Sequence, residues 1–245
     1  DPKGAVLTHQ SFFYASMVRA LQGGINKNDR ILLPFPLAFT GGLALGMVML
    51  WTGAQLNLEP AFDAERALHL IETRRITVFM AVPTIFQQMA QHPNFAATDI
   101  SSIRCASSGG ATVPVPLIRI YLDRGITMTQ TYTLTEVSAS GTTLPYDQSL
   151  ERVGSCGVPA MHSQARIVDE QGNEVPPGTV GEIAIKGPEV MIGYWRNPEA
   201  TAAALRDGWC HTGDLGRMDE DGYFYVVDRA KDMLISGGLN VYPAE

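Results

Sequence analysis

Short runs of apolar and β-branched residues alternate with longer segments that carry apolar residues at helical spacing, at intervals of roughly 25 residues through the first half of the chain. The short runs predict strands at residues 30–34, 55–58, 77–82, 103–107 and 127–131. The longer segments predict helices at residues 11–21, 63–74, 84–91 and 115–124. Because the strand runs are continuous rather than alternating, they predict a parallel sheet whose two faces are covered by crossover helices.

Two of these helices have polar residues suited to begin them. Thr8 lies just before the first helix, and Asp63 opens the second. A side-chain oxygen at such a position accepts a hydrogen bond from a backbone N–H that the helix leaves unpaired. We therefore expect both residues to be N-caps.

The segment 31–58 carries no charged residue and is long enough to span a bilayer. Pro34, Pro36 and several glycines interrupt it, and no basic flank follows it at Glu59. These features favour a buried strand, loop and helix, with a membrane-spanning helix as the less favoured alternative. We expect no transmembrane segment.

The pattern changes after residue 145. Residues 166–187 contain an apolar stretch, a cluster of Gly, Asn and Pro, and a second apolar stretch with period-2 alternation around Ile183 and Ile185. A further strand is predicted at residues 223–227. Alternation and turn clusters are typical of antiparallel β-structure, so we expect a smaller antiparallel subdomain here.

The composition is that of a globular chain, with 45% hydrophobic and 18% charged residues among 245. The formal net charge of -7 and the lack of a Lys/Arg run argue against binding to duplex nucleic acid. The three cysteines form no CxxC pair, which argues against a disulfide framework and a cysteine-rich zinc site. We expect a cytoplasmic protein.

Residues 107–114, SSGGATVP, join a predicted strand to a predicted helix. Backbone N–H groups at such a glycine-rich turn can face a ligand. The same sequence is also what a tight turn with positive φ requires.

Residues 132–136, YTLTE, place a hydroxyl beside a carboxylate directly after the carboxyl end of a strand, where open α/β sheets bind ligands. The carboxylate could hold Mg²⁺ while the hydroxyl contacts phosphate. A loop with a helix cap is the alternative.

Residues 211–216, HTGDLG, offer Asp214 on a glycine-flanked turn, where its carboxylate could chelate two ribose hydroxyls. An Asx-turn would explain the same residues. Residues 228–240 combine charged residues with a glycine pair, which a solvated hairpin explains equally well.

The order and spacing of six segments identify a family that no single segment identifies. These segments are DPKGAVLTH, SSGGATVP, YTLTE, GEIAIKGPEVMIGYW, GWCHTGDLG and DRAKDMLISGGLNVYPAE. Together they resemble the acyl-adenylating superfamily, which holds acyl- and aryl-CoA synthetases, beetle luciferases and peptide-synthetase adenylation domains. The last residues of the fourth, fifth and sixth segments, GYW, WCHTGDLG and KDMLISGGLNVYPAE, look most like those of fatty-acyl or aryl-CoA synthetases.

The resemblance implies a two-step reaction. A carboxylate attacks the α-phosphate of MgATP to give an acyl-adenylate and pyrophosphate, and the thiol of CoA then displaces AMP. Such chemistry depends on positioning and on charge neutralisation. ATP, Mg²⁺ and CoA are the implied cofactors, and a fatty or aryl acid is the implied substrate.

The family's catalytic and nucleotide-binding positions are carried over residue by residue. Lys3 matches the lysine that ends the phosphate loop, Thr135 the phosphate contact, and Glu136 the Mg²⁺ ligand. Asp214 matches the ribose-binding acid and Arg229 its basic companion. The remaining positions around the nucleotide are Gly109, Gly110, Ala111, Thr112, Gln130, Thr131, Tyr132 and Thr133, with the Tyr132 ring available for stacking on adenine.

Other positions match moving or acyl-binding parts of the family. Lys231 falls at the hinge about which the small C-terminal domain rotates, and Gly237 and Gly238 would line the path of the CoA pantetheine. Gly109, Phe39 and Thr133 match the acyl pocket. Residues 39–51 would form a helix against that pocket, although their uncharged Met and Leu residues suit a plain core equally well.

Two of these positions depart from the family pattern. Phe39 stands where relatives often have a gate histidine, so it keeps the aromatic plug without a polar gating role. Thr133 stands where relatives usually have glycine, and its side chain would intrude on the acyl tunnel. This departure favours a short, medium or slim acyl group over one the size of palmitate.

The resemblance also implies a division of the chain. Residues 1–145 would belong to the sheet-and-helix part of the large adenylating domain, 146–228 to its β-subdomain, and 229–245 to the hinge and the start of the small domain. We expect a fragment that is inactive alone, because the rest of the phosphate loop and of the small domain is missing from it. An adenylation domain that loads a carrier protein, and a non-catalytic relative, are the alternatives to a CoA ligase; a homodimer is compatible with each.

Overall fold

The computed structural model describes residues 3–34, 36–229, 234–236 and 239–241. The α-helices within these ranges are α1 His9–Gln22, α2 Thr40–Thr52, α3 Ala64–Arg74, α4 Pro83–Gln91, α5 Val115–Leu122 and α6 Pro198–Ala204. The strands of the first half are β1 Arg30–Leu33, β2 Gln55–Leu58, β3 Val78–Ala81, β4 Cys105–Gly109, β5 Met128–Thr133 and β6 Gly141–Thr143. The later strands are β7 Val158–Pro159, β8 Gln164–Val168, β9 Gly181–Lys186, β10 Leu205–Arg206, β11 Trp209–Met218, β12 Phe224–Arg229, β13 Leu234–Ser236 and β14 Leu239–Val241.

The first sheet has seven strands in the order β2-β1-β3-β4-β5-β6-β7. The strands from β2 to β5 pair in parallel, whereas β6 and β7 are antiparallel additions at one edge. The carboxyl ends of the neighbouring strands β4 and β5 therefore meet at one edge of the sheet, with Gly109 opposite Thr131.

A second sheet is antiparallel, with the order β10-β11-β9-β8 and with β12 paired to β11. Phe224, Ile183 and Ile185 of this sheet form one core with Tyr132 of β5 and with Val137, which follows that strand. This shared core holds the two sheets against each other. The predicted fold class, a parallel sheet with crossover helices and a smaller antiparallel part, is confirmed.

Helices cover both faces of the first sheet. Helices α3, α4 and α5 bury a large apolar core against one face, in which Tyr121, Phe86 and Phe79 are fully buried. Residues Val48 and Met49 of α2 pack with Ile31, Val78 and Cys105 on the other side. Because these strands are buried on both faces, they appear in the sequence as continuous apolar runs.

Both predicted helix caps are present. The Oγ1 of Thr8 accepts a hydrogen bond from the backbone N–H of Ser11 at 3.0 Å, and the Oγ of Ser11 accepts one from the N–H of Thr8 at 2.9 Å. The Oδ1 of Asp63 accepts from the N–H of Arg66 at 2.7 Å. Helix α1 is thus held by a reciprocal capping box, which fixes its first turn.

The uncharged segment 31–58 folds as β1, a loop, helix α2 and β2. Helix α2 begins at Thr40 and ends where Gly53 takes a left-handed conformation, with φ of 72°. None of the helices in the described ranges is long and apolar enough to cross a membrane.

Two sequence expectations need correction. Strand β5 extends to Thr133 instead of ending at residue 131, because β6 adds antiparallel pairs as far as Gly141 opposite Thr133. Asp214 lies inside strand β11 and not on a turn. The register of β11 against β9 shifts between His211 and Leu215, so a bulge turns this part of the strand out of the regular ladder.

Candidate functional site

The strand ends of β4 and β5 carry a turn that depends on two glycines. A Cβ atom at Gly109 would lie 2.6 Å from the Oγ1 of Thr131, so a larger residue would fit only if the Thr131 side chain shifted. Gly110 has φ of +83°, which is a left-handed conformation that favours glycine. The turn predicted from residues 107–114 thus needs glycine for close approach at one position and for backbone conformation at the next.

A cavity of about 230 Å³ opens beside this turn. It is lined by Gly110, Ala111, Thr112, Gln130, Thr131, Tyr132, Thr133, Cys156, Asp214, Val226 and Val227. Eight of these eleven residues were predicted to bind the nucleotide. They are all of the predicted nucleotide-binding positions except Gly109 and Arg229. We call it the polar cavity.

Tyr132 and Asp214 are joined by a hydrogen bond in the wall of the polar cavity. The phenol of Tyr132 donates to the Oδ2 of Asp214 at 2.7 Å. Burial, reinforced by the negative charge of Asp214, raises the pKa of Tyr132 far above its ordinary value, so the phenol stays protonated. The hydroxyl of Tyr132 thus orients the carboxylate across the gap between the two sheets.

Gln130 lies behind the glycine turn. Its Oε1 accepts a hydrogen bond from the backbone N–H of Val113 at 2.8 Å, and its side chain is buried. This bond ties the segment between β4 and α5 to strand β5. Gln130 therefore lines the cavity and also fixes the position of the turn beside it.

Thr135 and Glu136 follow β5 on a short 3-10 turn. The Oγ1 of Thr40, at the start of α2, donates to the Oγ1 of Thr135 at 3.2 Å. The phenol of Tyr194 donates to the Oε1 of Glu136 at 2.7 Å. Burial and this hydrogen bond raise the pKa of Tyr194, so it acts as a donor at neutral pH.

Lys3 reaches the same region from the start of the chain. The segment around Gly4 and Val6 pairs with the backbone around Gly193 and Trp195, with hydrogen bonds of 2.7 to 3.1 Å. This pairing places the ammonium group of Lys3 4.3 Å from the centre of the Tyr194 ring, within cation–π range. Tyr194 thus contacts both the predicted phosphate-binding lysine and the carboxylate predicted to bind Mg²⁺.

Sequence reasoning assigned no role to Tyr194 or Thr40. Tyr194 lies in the GYW ending that contributed to the family resemblance, so a signal for it was present in the motif. Thr40 had no such signal, because its neighbour Thr135 is 95 residues away in the chain.

A second cavity, of about 410 Å³, borders the same strand ends. Its walls are mostly apolar and include Phe39, Gly41, Leu45, Met80, Ala81, Val82 and Ile85, together with Arg19, Ser107, Gly109, Gly110, Thr131 and Thr133. We call it the apolar cavity. It shares Gly110, Thr131 and Thr133 with the polar cavity, so the two spaces adjoin at the ends of β4 and β5.

The three residues predicted for the acyl pocket all line the apolar cavity. Phe39 is 65% exposed and precedes the first turn of α2, which places it at the rim and not in the interior. Thr133 lines both cavities.

The remaining candidate residues are described only in part. The backbone of Arg229 pairs with that of Asp214 between β12 and β11. Lys231, Gly237 and Gly238 lie outside the described residues. No group of three or more His, Cys, Asp or Glu side chains that could hold a metal is present in the part of the chain that the structure describes.

The model of the AMP-binding enzyme family matches residues 1–195. A feruloyl-CoA synthase from Amycolatopsis sp is 44% identical over 247 residues, which is 100% of this chain and 50% of that protein. A 2-succinylbenzoate–CoA ligase from Bacillus mycoides is 39% identical over 244 residues, again 100% of this chain and 50% of the relative. The chain spans about half the length of the curated relatives it matches.

Solved structures give the same picture. The O-succinylbenzoate coenzyme A synthetase from Bacillus subtilis, in complex with ATP and magnesium ion, superimposes with a TM-score of 0.93 at 34% identity, over 99% of this chain and 50% of that one. A fatty acyl CoA synthetase from Mycobacterium tuberculosis superimposes with a TM-score of 0.90 at 39% identity, over 100% of this chain and 48% of that one.

Proposed function

The chain belongs to the AMP-binding enzyme family, and on that premise we propose that the whole protein is an ATP-dependent carboxylate–CoA ligase. Its first step would join a carboxylate oxygen to the α-phosphorus of ATP and release pyrophosphate. Its second step would transfer the acyl group from AMP to the sulfur of CoA.

The observation that carries this proposal is the junction of the two cavities. One has the larger polar share and contains Asp214, the other is mainly apolar, and both are bounded by Gly110, Thr131 and Thr133. A nucleotide in the first and an acid in the second would meet at this junction. Holding two reactants in contact accounts for a large part of such catalysis.

The polar cavity supports binding of the nucleoside. Asp214 would accept hydrogen bonds from the ribose hydroxyls, oriented by the phenol of Tyr132. The segment 109–112 would border the adenine, and Arg229 would assist Asp214 from the neighbouring strand.

Lys3, Thr135 and Glu136 support binding of the phosphates. Mg²⁺ commonly keeps several water ligands and is held by one or two carboxylates together with substrate phosphates, so a single carboxylate at Glu136 fits it. Bound there, Mg²⁺ would neutralise phosphate charge. Tyr194 would hold the Glu136 carboxylate in place, and Lys3 would add a positive charge.

The size and lining of the apolar cavity favour a short, medium or slim acid, aryl acids included. Thr133 would limit the length of the acyl chain. Lys231 would serve as the hinge, and Gly237 and Gly238, at the start of the small domain, would line the path of pantetheine.

The test is carboxylate-dependent release of pyrophosphate from MgATP by the full-length protein, with and without CoA. The acids would be acetate, butyrate, octanoate, palmitate, benzoate and a hydroxycinnamate, and soluble acyl-CoA would be identified by mass. Release that CoA accelerates, with an acyl-CoA product, supports the ligase. Adenylate formation without soluble acyl-CoA would favour loading of a carrier protein, and ATP binding without release would favour a non-catalytic relative.

A further inference from the structure

Arg19 brings a positive charge to the wall of an otherwise largely apolar cavity. It lies in the last turns of α1 and lines the apolar cavity beside Met80 and Ser107. It does not line the polar cavity, where the nucleotide is proposed to bind. Arg19 therefore borders the space for the acid.

The hydrogen bonds of this guanidinium within the described residues satisfy only part of its capacity. Nη2 donates to the backbone carbonyl of Ala139, and Nε is buried with no hydrogen-bond partner among the residues that the structure describes. No carboxylate lies within 4.0 Å of Arg19 among the described side chains. An arginine has five N–H donors, and one carbonyl satisfies only a small part of them.

The charge persists at neutral pH. Burial lowers the pKa of Arg19 to about 10, which still leaves it protonated. A buried cation without a counter-ion is unfavourable, so such groups in proteins are normally paired. The hydroxyl-bearing residues Ser107, Thr131 and Thr133 line the same cavity and add polar character near the cation without adding charge.

We propose that Arg19 is a specificity-determining residue that binds a second carboxylate of the substrate, at the end remote from the carboxylate that is activated. The preferred acid is then a dicarboxylate with an apolar or aromatic spine. The planar guanidinium suits this role, because it pairs with a carboxylate through two parallel N–H donors. This inference rests on the proposed function, since it concerns the acid that the same site would activate.

The alternative is that Arg19 only anchors the backbone at Ala139, a residue with φ of +58°. An anchor would affect folding and would affect all acids equally. A carboxylate-binding residue would affect only those acids that carry a second charge.

The test compares matched acids on the full-length protein: 4-carboxycinnamate with 4-nitrocinnamate, and 4-carboxybenzoate with 4-nitrobenzoate. The nitro group has nearly the shape of a carboxylate but no net charge. We expect the wild type to prefer the dicarboxylate of at least one pair by tenfold or more in kcat/KM for pyrophosphate release. Arg19→Met should abolish that preference while changing use of the nitro acid by less than threefold, and Arg19→Lys should retain part of it.

Arg30→Met is the matched control. Arg30 also donates from its guanidinium to a backbone carbonyl, that of Arg74, at 3.4 Å, but it lies at the amino end of β1 and lines neither cavity. This variant should leave the preference between the paired acids unchanged.

A direct binding measurement separates failure of this inference from failure of the proposed function. We would measure the rise in melting temperature caused by each acid alone in the wild type and in Arg19→Met. A larger rise with the dicarboxylate, lost in Arg19→Met, supports the inference even if no acid supports pyrophosphate release. Equal use and equal stabilisation by the paired acids in the wild type, or an equal loss for both in Arg19→Met, would overturn it.

Discussion

The phenol of Tyr194 donates a hydrogen bond of 2.7 Å to the carboxylate of Glu136, which lies 58 residues away in the chain. The backbone N–H of Met191 also donates to the carbonyl of Glu136, at 2.7 Å. The loop that precedes α6 therefore holds both the backbone and the side chain of this residue.

The first prediction concerns this pair. Tyr194→Phe removes the donor that orients Glu136, and loss of such a supporting bond lowers metal affinity by roughly 10- to 100-fold in other proteins. We expect the Mg²⁺ concentration needed for half-maximal pyrophosphate release to rise by about tenfold. A titration with Mg²⁺ at saturating ATP would measure it.

Tyr225→Phe is the control for Tyr194→Phe. It removes a similar bond between a phenol and a carboxylate, that from Tyr225 to Asp219 at 3.1 Å, outside both cavities. Equal Mg²⁺ dependence in the two variants would remove Tyr194 from the proposed Mg²⁺ site.

The second prediction concerns Tyr132 and Asp214. Tyr132→Phe keeps the ring but leaves the carboxylate without its phenol donor, and a hydrogen bond to a charged group contributes about 1.5–3 kcal/mol. We expect KM for ATP to rise by roughly tenfold or more, since 1.4 kcal/mol corresponds to a factor of ten. Initial rates at varied ATP concentration would give this value.

Tyr121→Phe provides the comparison for Tyr132→Phe. The buried phenol of Tyr121 donates to the carbonyl of Phe86 at 2.8 Å in the core under α4 and α5. We expect this variant to lower the free energy of unfolding by about 1 kcal/mol without changing KM for ATP. An unchanged KM in Tyr132→Phe would show that the orientation of Asp214 does not matter to nucleotide binding.

The third prediction concerns the length of the acid. Thr133→Gly removes a side chain that lines the apolar cavity, so kcat/KM for octanoate or palmitate should rise relative to that for butyrate. The substitution should also destabilise β5 by about 1 kcal/mol, because glycine weakens a strand. Competition assays with pairs of acids would measure the change in preference.

Thr143→Gly on the neighbouring strand β6 removes the same atoms from a residue that does not line the apolar cavity. It should lower stability without changing the order of preference. If Thr133→Gly gains nothing on longer acids, Thr133 does not set their length.

The fourth prediction is a dependence of stability on pH. Asp29 is almost fully buried, and this burial by itself would raise its pKa. Hydrogen bonds from Arg104, Thr77 and the N–H of Asn26 outweigh that effect, so the pKa lies below its usual value. A lowered pKa in the folded state means that the ionised carboxylate stabilises the fold above the unfolded pKa of about 3.9. This contribution is lost as the pH falls through the folded value.

Asp29→Asn should therefore lower the free energy of unfolding by about 2 kcal/mol at pH 7, and by progressively less as the pH falls below about 4. Urea unfolding at a series of pH values would show whether the two curves converge in acid. Asp147→Asn, at an exposed position, should show little difference at any pH. A constant difference between wild type and Asp29→Asn down to pH 2 would contradict the assignment.

Local patterns predicted much of the framework because the forces that set them act over short stretches of chain. The caps at Thr8 and Asp63 involve a residue three positions away. The apolar runs that became β1, β3 and β4 reflect burial of each strand on both faces. The sequence also placed Thr133, Thr135 and Glu136 at the end of one strand.

The bulge that presents Asp214 could not be predicted from its own segment. The glycines around Asp214 indicate a turn locally, but pairing with β9 and β12 draws residues 209–218 into a strand. Hydrogen bonds to two flanking strands overrode the local preference, as is common for β-structure.

The amino-acid sequence by itself determined the fold class, the caps and the order of the candidate site residues, because each depends on neighbours a few positions away or on a motif. Only the tertiary structure decided that Tyr132 contacts Asp214, 82 residues further along the chain, and that Tyr194 contacts Glu136. It also decided that Arg19 lines the apolar cavity and donates to the carbonyl of Ala139, 120 residues further along. These contacts join segments brought together by packing of the two sheets and α1. No local pattern of hydrophobic and polar residues specifies which distant side chain will fill a given space.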